Sequence, residues 1–237
     1  MRWLRSFLDN NSVFGRIMTR CGILIAGNLL FLLCALPVFT LGASWTALYY
    51  TMMKTLRGDG ELNPFRTFWK GFRDNFRQAV AAFALLVFLA AFLLLELFWC
   101  GQFQGIVSAF RYGLIALLLV ECIIALYLFP VMAAFRGSLP ELARNSLFFA
   151  VRRPVTLVLV LFAHFAPMAV TALDAPRLPL YAFLWCLTGF SAVAMYCGSL
   201  LLKQFSPLLG GTEPEEEDGG PAKTEKEILD EMEKLGM

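Results

Sequence analysis

The sequence predicts an all-α membrane protein, a polytopic helix bundle with about six membrane-crossing segments and two cytoplasmic interfacial amphipathic helices. Of its 237 residues, 59% are hydrophobic and 16% are charged, whereas soluble domains are roughly 45–50% apolar and 25% charged. The apolar residues gather into runs near the length of about 20 residues that spans a bilayer. Short basic stretches separate these runs. A soluble fold is therefore excluded.

Five runs match the thickness of the hydrocarbon core at the helical rise of about 1.5 Å per residue. They lie at about residues 20–39, 79–100, 112–135, 155–174 and 179–203. A further run, residues 41–56, is apolar and aromatic, but as a helix it is only about 24 Å long. It also ends close to Lys54. Length alone therefore does not decide whether this run crosses.

The distribution of basic residues favours a crossing by residues 41–56, because cytoplasmic loops collect Lys and Arg. Six crossings with both termini inside leave 18 basic residues inside and only Arg111 and Arg177 outside. Five crossings give at best 14 inside and 6 outside. We therefore predict six crossings. A re-entrant hairpin formed by the first two segments gives the same distribution of charge and stays open as an alternative.

Two inner connections are predicted to be amphipathic helices in the membrane interface. Residues 64–78 place aromatic side chains on one stripe and basic side chains largely opposite. Residues 140–153 form a shorter one, opened by Pro140 and stopped by Pro154. The basic residues of these segments form a candidate surface for anionic lipid or a protein partner: Arg66, Lys70, Arg73, Arg77, Arg152 and Arg153.

The two connections resemble each other at an offset of about 80 residues, as parallel transporter repeats do. ALYYTMMKTLRG at residues 47–58 aligns with ALYLFPVMAAFRG at residues 125–137 after one inserted residue, and Arg73 then falls on Arg153. A chance likeness between two aromatic, basic segments is the alternative.

The chain is predicted to divide at about residue 209, where the composition changes abruptly. Residues 1–209 form the transmembrane helical domain. Residues 210–237 begin as an acidic segment rich in Gly and Pro, which is typical of disorder. They end in a short cytoplasmic helix, where Thr224 and Glu227 have the spacing of a capping box.

Three segments carry a resemblance to a known family. Residues 36–61 (LPVFTLGASWTALYYTMMKTLRGDGE), 65–79 (FRTFWKGFRDNFRQA) and 146–154 (SLFFAVRRP) are similar to the YesL-like membrane proteins, classed as domain of unknown function 624. The similarity covers about residues 1–209. It implies integral membrane proteins of bacteria, mostly Gram-positive and often encoded beside carbohydrate-uptake ABC transporters. The family has no established activity and implies no catalytic residues.

The sequence shows no motif for catalysis, for a cofactor or for a metal centre, so we expect neither an enzyme nor a cofactor. Nucleic-acid binding is not expected either, because membrane topology already accounts for the basic residues. Three ionisable residues lie inside spans, where a charge is costly. Glu96 is near an outer end. Glu121 and His164 are near mid-depth, and we predict that they form an intramembrane polar pair, either as a structural clasp or as a proton or substrate site.

The first functional hypothesis is a non-enzymatic accessory or scaffold protein of the bacterial cytoplasmic membrane, associated with carbohydrate ABC-type uptake. Its expected partners are the lipid bilayer, anionic lipid head groups and ABC transporter subunits. The alternative is a small transporter or permease-like protein with a parallel helical repeat and a midplane site at Glu121 and His164. A membrane sensor that signals through the basic inner helices is a third possibility.

Overall fold

The computed structural model describes residues 13–58, 62–102 and 106–209. These residues are 93% helical and contain no strand, so the predicted all-α class is confirmed. The chain divides into two units, residues 1–204 and 205–237, and residues 205–209 are the described part of the second. The predicted acidic linker and the short helix at its end lie outside the described residues.

Eight α-helices are described. They are α1 (Val13–Ala35), α2 (Leu41–Arg57), α3 (Pro64–Cys100), α4 (Ile106–Ala134), α5 (Leu139–Arg152), α6 (Pro154–Leu173), α7 (Leu178–Leu184) and α8 (Phe190–Leu209). Two short 3₁₀ turns, Val38–Thr40 and Ala175–Arg177, precede α2 and α7, and a π-helical turn, Trp185–Gly189, joins α7 to α8.

Five stretches of the described chain are long and apolar enough to cross a membrane, one fewer than the six predicted crossings. They are Ile17–Ala35, Pro64–Cys100, Ala109–Ala134, Pro154–Leu173 and Ala175–Phe205. The predicted crossing that is missing from this set is residues 41–56, which form most of α2. The sequence analysis already found this segment shorter than the others.

The short helix α2 forms the centre of the bundle. Eleven of its 17 residues are buried, and α1, α3 and α4 all pack against it. Many of its residues are small, which allows close helix contact. Its buried Ser and Thr hydroxyls bond to the carbonyl four residues earlier, as Thr46 does to Gly42 (2.9 Å) and Thr51 to Ala47 (2.8 Å). These hydroxyls therefore need no partner on another helix.

Two glycines set the register between α2 and α3, which run antiparallel. A Cβ on Gly42 would lie 2.5 Å from the carbonyl oxygen of Ala79, and one on Gly71 would lie 2.8 Å from the Tyr50 ring. Helix α2 is thus paired with the amphipathic first half of α3. The apolar second half, residues 80–100, continues beyond the start of α2.

The predicted interfacial segment 64–78 is not a separate helix, because it runs without a break into the apolar residues that follow. Together they form α3, which has 37 residues. The second predicted interfacial segment does end, at Arg152, and Pro154 begins α6. In the proposed repeat Pro154 aligns with Asp74, which has the backbone N–H that proline lacks. This difference explains why one copy is interrupted and the other is continuous.

Candidate functional site

His164 of α6 lies in the interior of the bundle and is only 7% exposed. Its Nδ1 lies 2.9 Å from the carbonyl oxygen of Val160. A carbonyl can only accept, so Nδ1 carries the proton of the neutral ring and Nε2 keeps a lone pair. The hydroxyl of Tyr49 lies 3.4 Å from Nε2 and donates to it in this tautomer.

Cys197 of α8 completes a small polar group around the imidazole. Its Sγ lies 3.8 Å from Nδ1 of His164, and the side chain is fully buried. The ring centroids of Trp45 and His164 are 6.1 Å apart. We call Tyr49, His164 and Cys197 the His164 cluster. It joins one side chain from each of α2, α6 and α8.

The His164 cluster contains a phenol, an imidazole and a thiol, but no carboxylate. Each group can hold a proton without a net charge, and the imidazole can pass a proton between its two nitrogens. Tyr127 of α4 is buried nearby, and its hydroxyl has no hydrogen-bond partner within the described chain. The arrangement is suited to holding or relaying protons.

Glu121 is also buried at 7% exposure, but it lies between α3 and α4, against the backbone of Ala90. Apart from the backbone of Ala90, no group in the described part of the chain is placed to bond to either carboxyl oxygen. The structure does not join Glu121 and His164 as the predicted polar pair, because the partners of His164 in the described ranges are Tyr49, Val160 and Cys197. Sequence placed both residues at similar depth, but depth does not specify the neighbouring helix: His164 bonds toward α2, whereas Glu121 faces α3.

Asn28 of α1 makes a polar contact that the sequence analysis missed. Its Nδ2 donates to the carbonyl oxygens of Trp185 (2.9 Å) and Cys186 (2.7 Å), and its Oδ1 accepts from the N–H of Ser191 (3.1 Å). These groups belong to the π-helical turn and the residues beside it, and the side chain of Asn28 is fully buried. We call this contact the Asn28 clamp. The signal in the sequence was the single amide side chain of Asn28 within an apolar segment.

The basic residues of α3 are exposed, as are Arg152 and Arg153. Exposed aromatic side chains occur on the same two helices, including Phe65, Trp69 and Phe148, and the Arg152 guanidinium lies 5.7 Å from the centre of the Phe148 ring. We call these exposed residues together the basic end; its members are Phe65, Arg66, Trp69, Lys70, Arg73, Arg77, Phe148, Arg152 and Arg153.

A hydrogen bond links α3 to the turn before α5. Gln78 of α3 donates through Nε2 to the carbonyl oxygen of Gly137, just before α5 (2.7 Å). The start of α5 is fixed in turn by Glu141, whose Oε2 accepts from the N–H of Ser138 (2.9 Å). This bond, with the contact to the Ser138 side chain, lowers the pKa of Glu141 from its ordinary value.

No group of three or more His, Cys, Asp or Glu residues in the described ranges is placed to hold a metal ion. All six cysteines are free thiols. The arrangement offers a buried polar cluster and an exposed basic surface.

The long apolar helices and their mutual packing define a polytopic α-helical membrane protein. Residues 24–97 match the model of a family described as "Protein of unknown function, DUF624". The resemblance to this family is thus confirmed for α1 from Leu24 onward, all of α2 and most of α3. No curated protein and no solved structure gives a match to the chain.

Proposed function

We propose that this protein is a non-enzymatic accessory or scaffold protein of the bacterial cytoplasmic membrane that works with a carbohydrate ABC-type uptake system. The observation that carries the proposal is the basic end. Exposed aromatic rings beside exposed cations suit a surface at the membrane interface, where one side of a side chain meets lipid and the other meets water or a partner. The link to carbohydrate uptake rests on the family resemblance alone.

In this proposal both termini and the basic end face the cytoplasm. The support is the distribution of charge, since 18 of the 20 basic residues lie on one side of the six-crossing topology. Anionic head groups of the inner leaflet would then bind the cations of α3, each worth about 1 kcal/mol near the surface. The same surface would present Trp69 and Phe148 to transporter subunits.

Site-specific photo-crosslinking tests whether transporter subunits contact the basic end. A photoreactive amino acid replaces Trp69 in the basic end or, as a matched control, Phe110 near the start of α4, which is also exposed. We expect ABC permease or ATPase subunits, identified by mass spectrometry, to cross-link from position 69 and not from 110. Replacing four basic residues with Gln should weaken that cross-link; they are Arg66, Lys70, Arg73 and Arg77. Equal capture from both positions, or capture of no transporter subunit, contradicts the proposal.

A second candidate is a small transporter, and the His164 cluster is the observation that favours it. A proton-carrying imidazole buried among three helices is a common element of coupled transport. In reconstituted vesicles, a pH-dependent solute flux that His164→Gln abolishes and Glu121→Gln leaves unchanged would support this candidate. A flux that depends on Glu121 instead of His164 would restore the site predicted from sequence.

A further inference from the structure

The first half of α3 carries four exposed basic side chains on one narrow face. At 3.6 residues per turn they fall within an arc of about 60° and extend over about 17 Å of the helix. We call them the α3 stripe; they are Arg66, Lys70, Arg73 and Arg77. The one acidic residue in this half of α3 is Asp74, which is exposed beside the stripe. Four cations and one carboxylate leave this face with a net charge of +3.

The arginines of the α3 stripe are not neutralised by other described parts of the chain. Within the described ranges Asp174 and Arg177 form an ion pair (2.9 Å), whereas the three arginines of the stripe form none. Cations on one face repel one another, and an anion placed near them removes that repulsion. The stripe is therefore a site for a segment of opposite charge.

The same chain contains such a segment within the predicted acidic linker. Residues 213–218 read EPEEED, which is five carboxylates in six positions. We call them the EPEEED segment. It holds five of the 18 acidic residues of the chain, and its charge is opposite to that of the α3 stripe and large enough to neutralise it.

The last helix runs toward the end of the bundle at which α3 begins. Phe190 packs against Trp45 (ring centroids 6.0 Å apart), and a Cβ on Gly198 would lie 3.4 Å from Met53, so α8 follows α2 in the same direction as far as Gly198. The end of α2 lies near the start of α3, because these two helices are antiparallel. Nine residues lead from the end of α8 to the end of the EPEEED segment. They can extend about 30 Å, which exceeds the length of the stripe.

We propose that the EPEEED segment binds the α3 stripe of the same chain. The bound segment covers cations that would otherwise hold anionic head groups or a protein partner, so it regulates access to the basic end. This regulatory role rests on the proposed function, whereas the contact itself does not. The contact joins exposed charges, so salt weakens it.

Photo-crosslinking within the purified full-length protein tests the contact. A photoreactive amino acid replaces Asp74, which lies beside the α3 stripe, so that all four cations are kept. The matched control position is Phe110, which is exposed on α4. The protein is held in a neutral detergent at low salt, with no transporter present. Mass spectrometry of the monomer band then quantifies cross-links to the tryptic peptide of residues 204–223, which contains the EPEEED segment.

We expect the cross-links from position 74 to exceed those from position 110 at least about fivefold, and to fall at least about threefold at about 0.5 M NaCl, where the screening length is about 4 Å. Replacing the five carboxylates of the EPEEED segment with Gln and Asn should lower the yield at low salt to the same extent. Both changes leave the described helices unaltered.

Equal yields from the two positions overturn the proposal. So does a yield from position 74 that neither salt nor the neutral segment lowers, or one confined to the dimer band, which would mean that the segment binds a second copy. Because no transporter is present, failure of the transporter cross-link that tests the proposed function would leave this result unchanged.

Discussion

Asn28 satisfies three backbone groups of the last helical segment with one side chain. A π-helical turn widens the helix and disturbs the usual pattern of bonds four residues apart. The amide of Asn28 donates to two of the carbonyls at that turn and accepts from the N–H of Ser191. Its position therefore couples α1 to the irregular part of a helix about 160 residues away in sequence.

We predict that Asn28→Leu lowers the free energy of unfolding by about 2 kcal/mol or more, because buried backbone groups lose their partner. The measurement is denaturant unfolding in mixed micelles. Asn75→Leu is the control, since Asn75 bonds only locally, to the carbonyl of Gly71 (3.0 Å), and should lose clearly less. Equal decreases in the free energy of unfolding in the two variants would mean that the Asn28 clamp contributes no more than a local hydrogen bond.

A polar clasp would make Glu121 stabilising. The surroundings of its carboxyl lead us to predict the opposite effect on the free energy of unfolding. Burying a polar group without a hydrogen bond costs about 1–3 kcal/mol in mutational data, and among the described residues no side chain bonds to either oxygen of Glu121. Glu121→Leu should therefore raise the free energy of unfolding by about 1 kcal/mol. Glu121→Gln leaves a polar group unpaired and should bring little gain. A clear loss of stability in Glu121→Leu would reveal a partner for the carboxyl.

At the scale of single elements, the start of α5 depends on the ionised form of Glu141. Its carboxylate accepts from the N–H of Ser138, and this bond lowers the pKa in the folded protein. A lowered pKa means that the bond stabilises the first turn fully above the ordinary Glu value, about 4.3. This contribution disappears as the pH falls through the lower, folded value.

We therefore predict that the first turn of α5 loosens between the ordinary pKa of glutamate and the lowered folded value. Hydrogen exchange measured over this acid range should show falling protection of the Ser138 amide. Glu141→Gln keeps an acceptor at the same position and removes the ionisation, so its protection should not depend on pH in this range. An identical acid response in the two proteins would rule out Glu141 as the cause.

Sequence predicted the types and approximate positions of most elements, because long apolar runs and basic amphipathic segments are strong local signals. It did not predict that residues 64–78 continue into the next span, since neither Gly nor Pro marks a boundary there and helix continuity is decided by packing. It also missed the partners of His164 and the Asn28 clamp. Those depend on which helices are neighbours, and a periodic pattern along one helix does not specify its neighbours.

At the scale of the whole molecule, both the basic end and the chain termini are expected in the cytoplasm. In a background without native cysteines, Gly137→Cys should resist a membrane-impermeant maleimide added to intact cells and react once the membrane is permeabilised. Ala175→Cys, in the turn before α7, should react from outside. Reaction of Gly137→Cys in intact cells would reverse the orientation and remove the main support for a cytoplasmic partner surface.

The burial of α2 has a consequence for how the chain enters the membrane during synthesis. A helix that is surrounded by protein does not need to be hydrophobic enough to partition into lipid by itself, and α2 is not among the stretches that qualify. As the ribosome delivers the chain, we therefore expect α2 to enter lipid only together with α1 and the emerging α3, which shield it. The first three helices would then leave the translocon together.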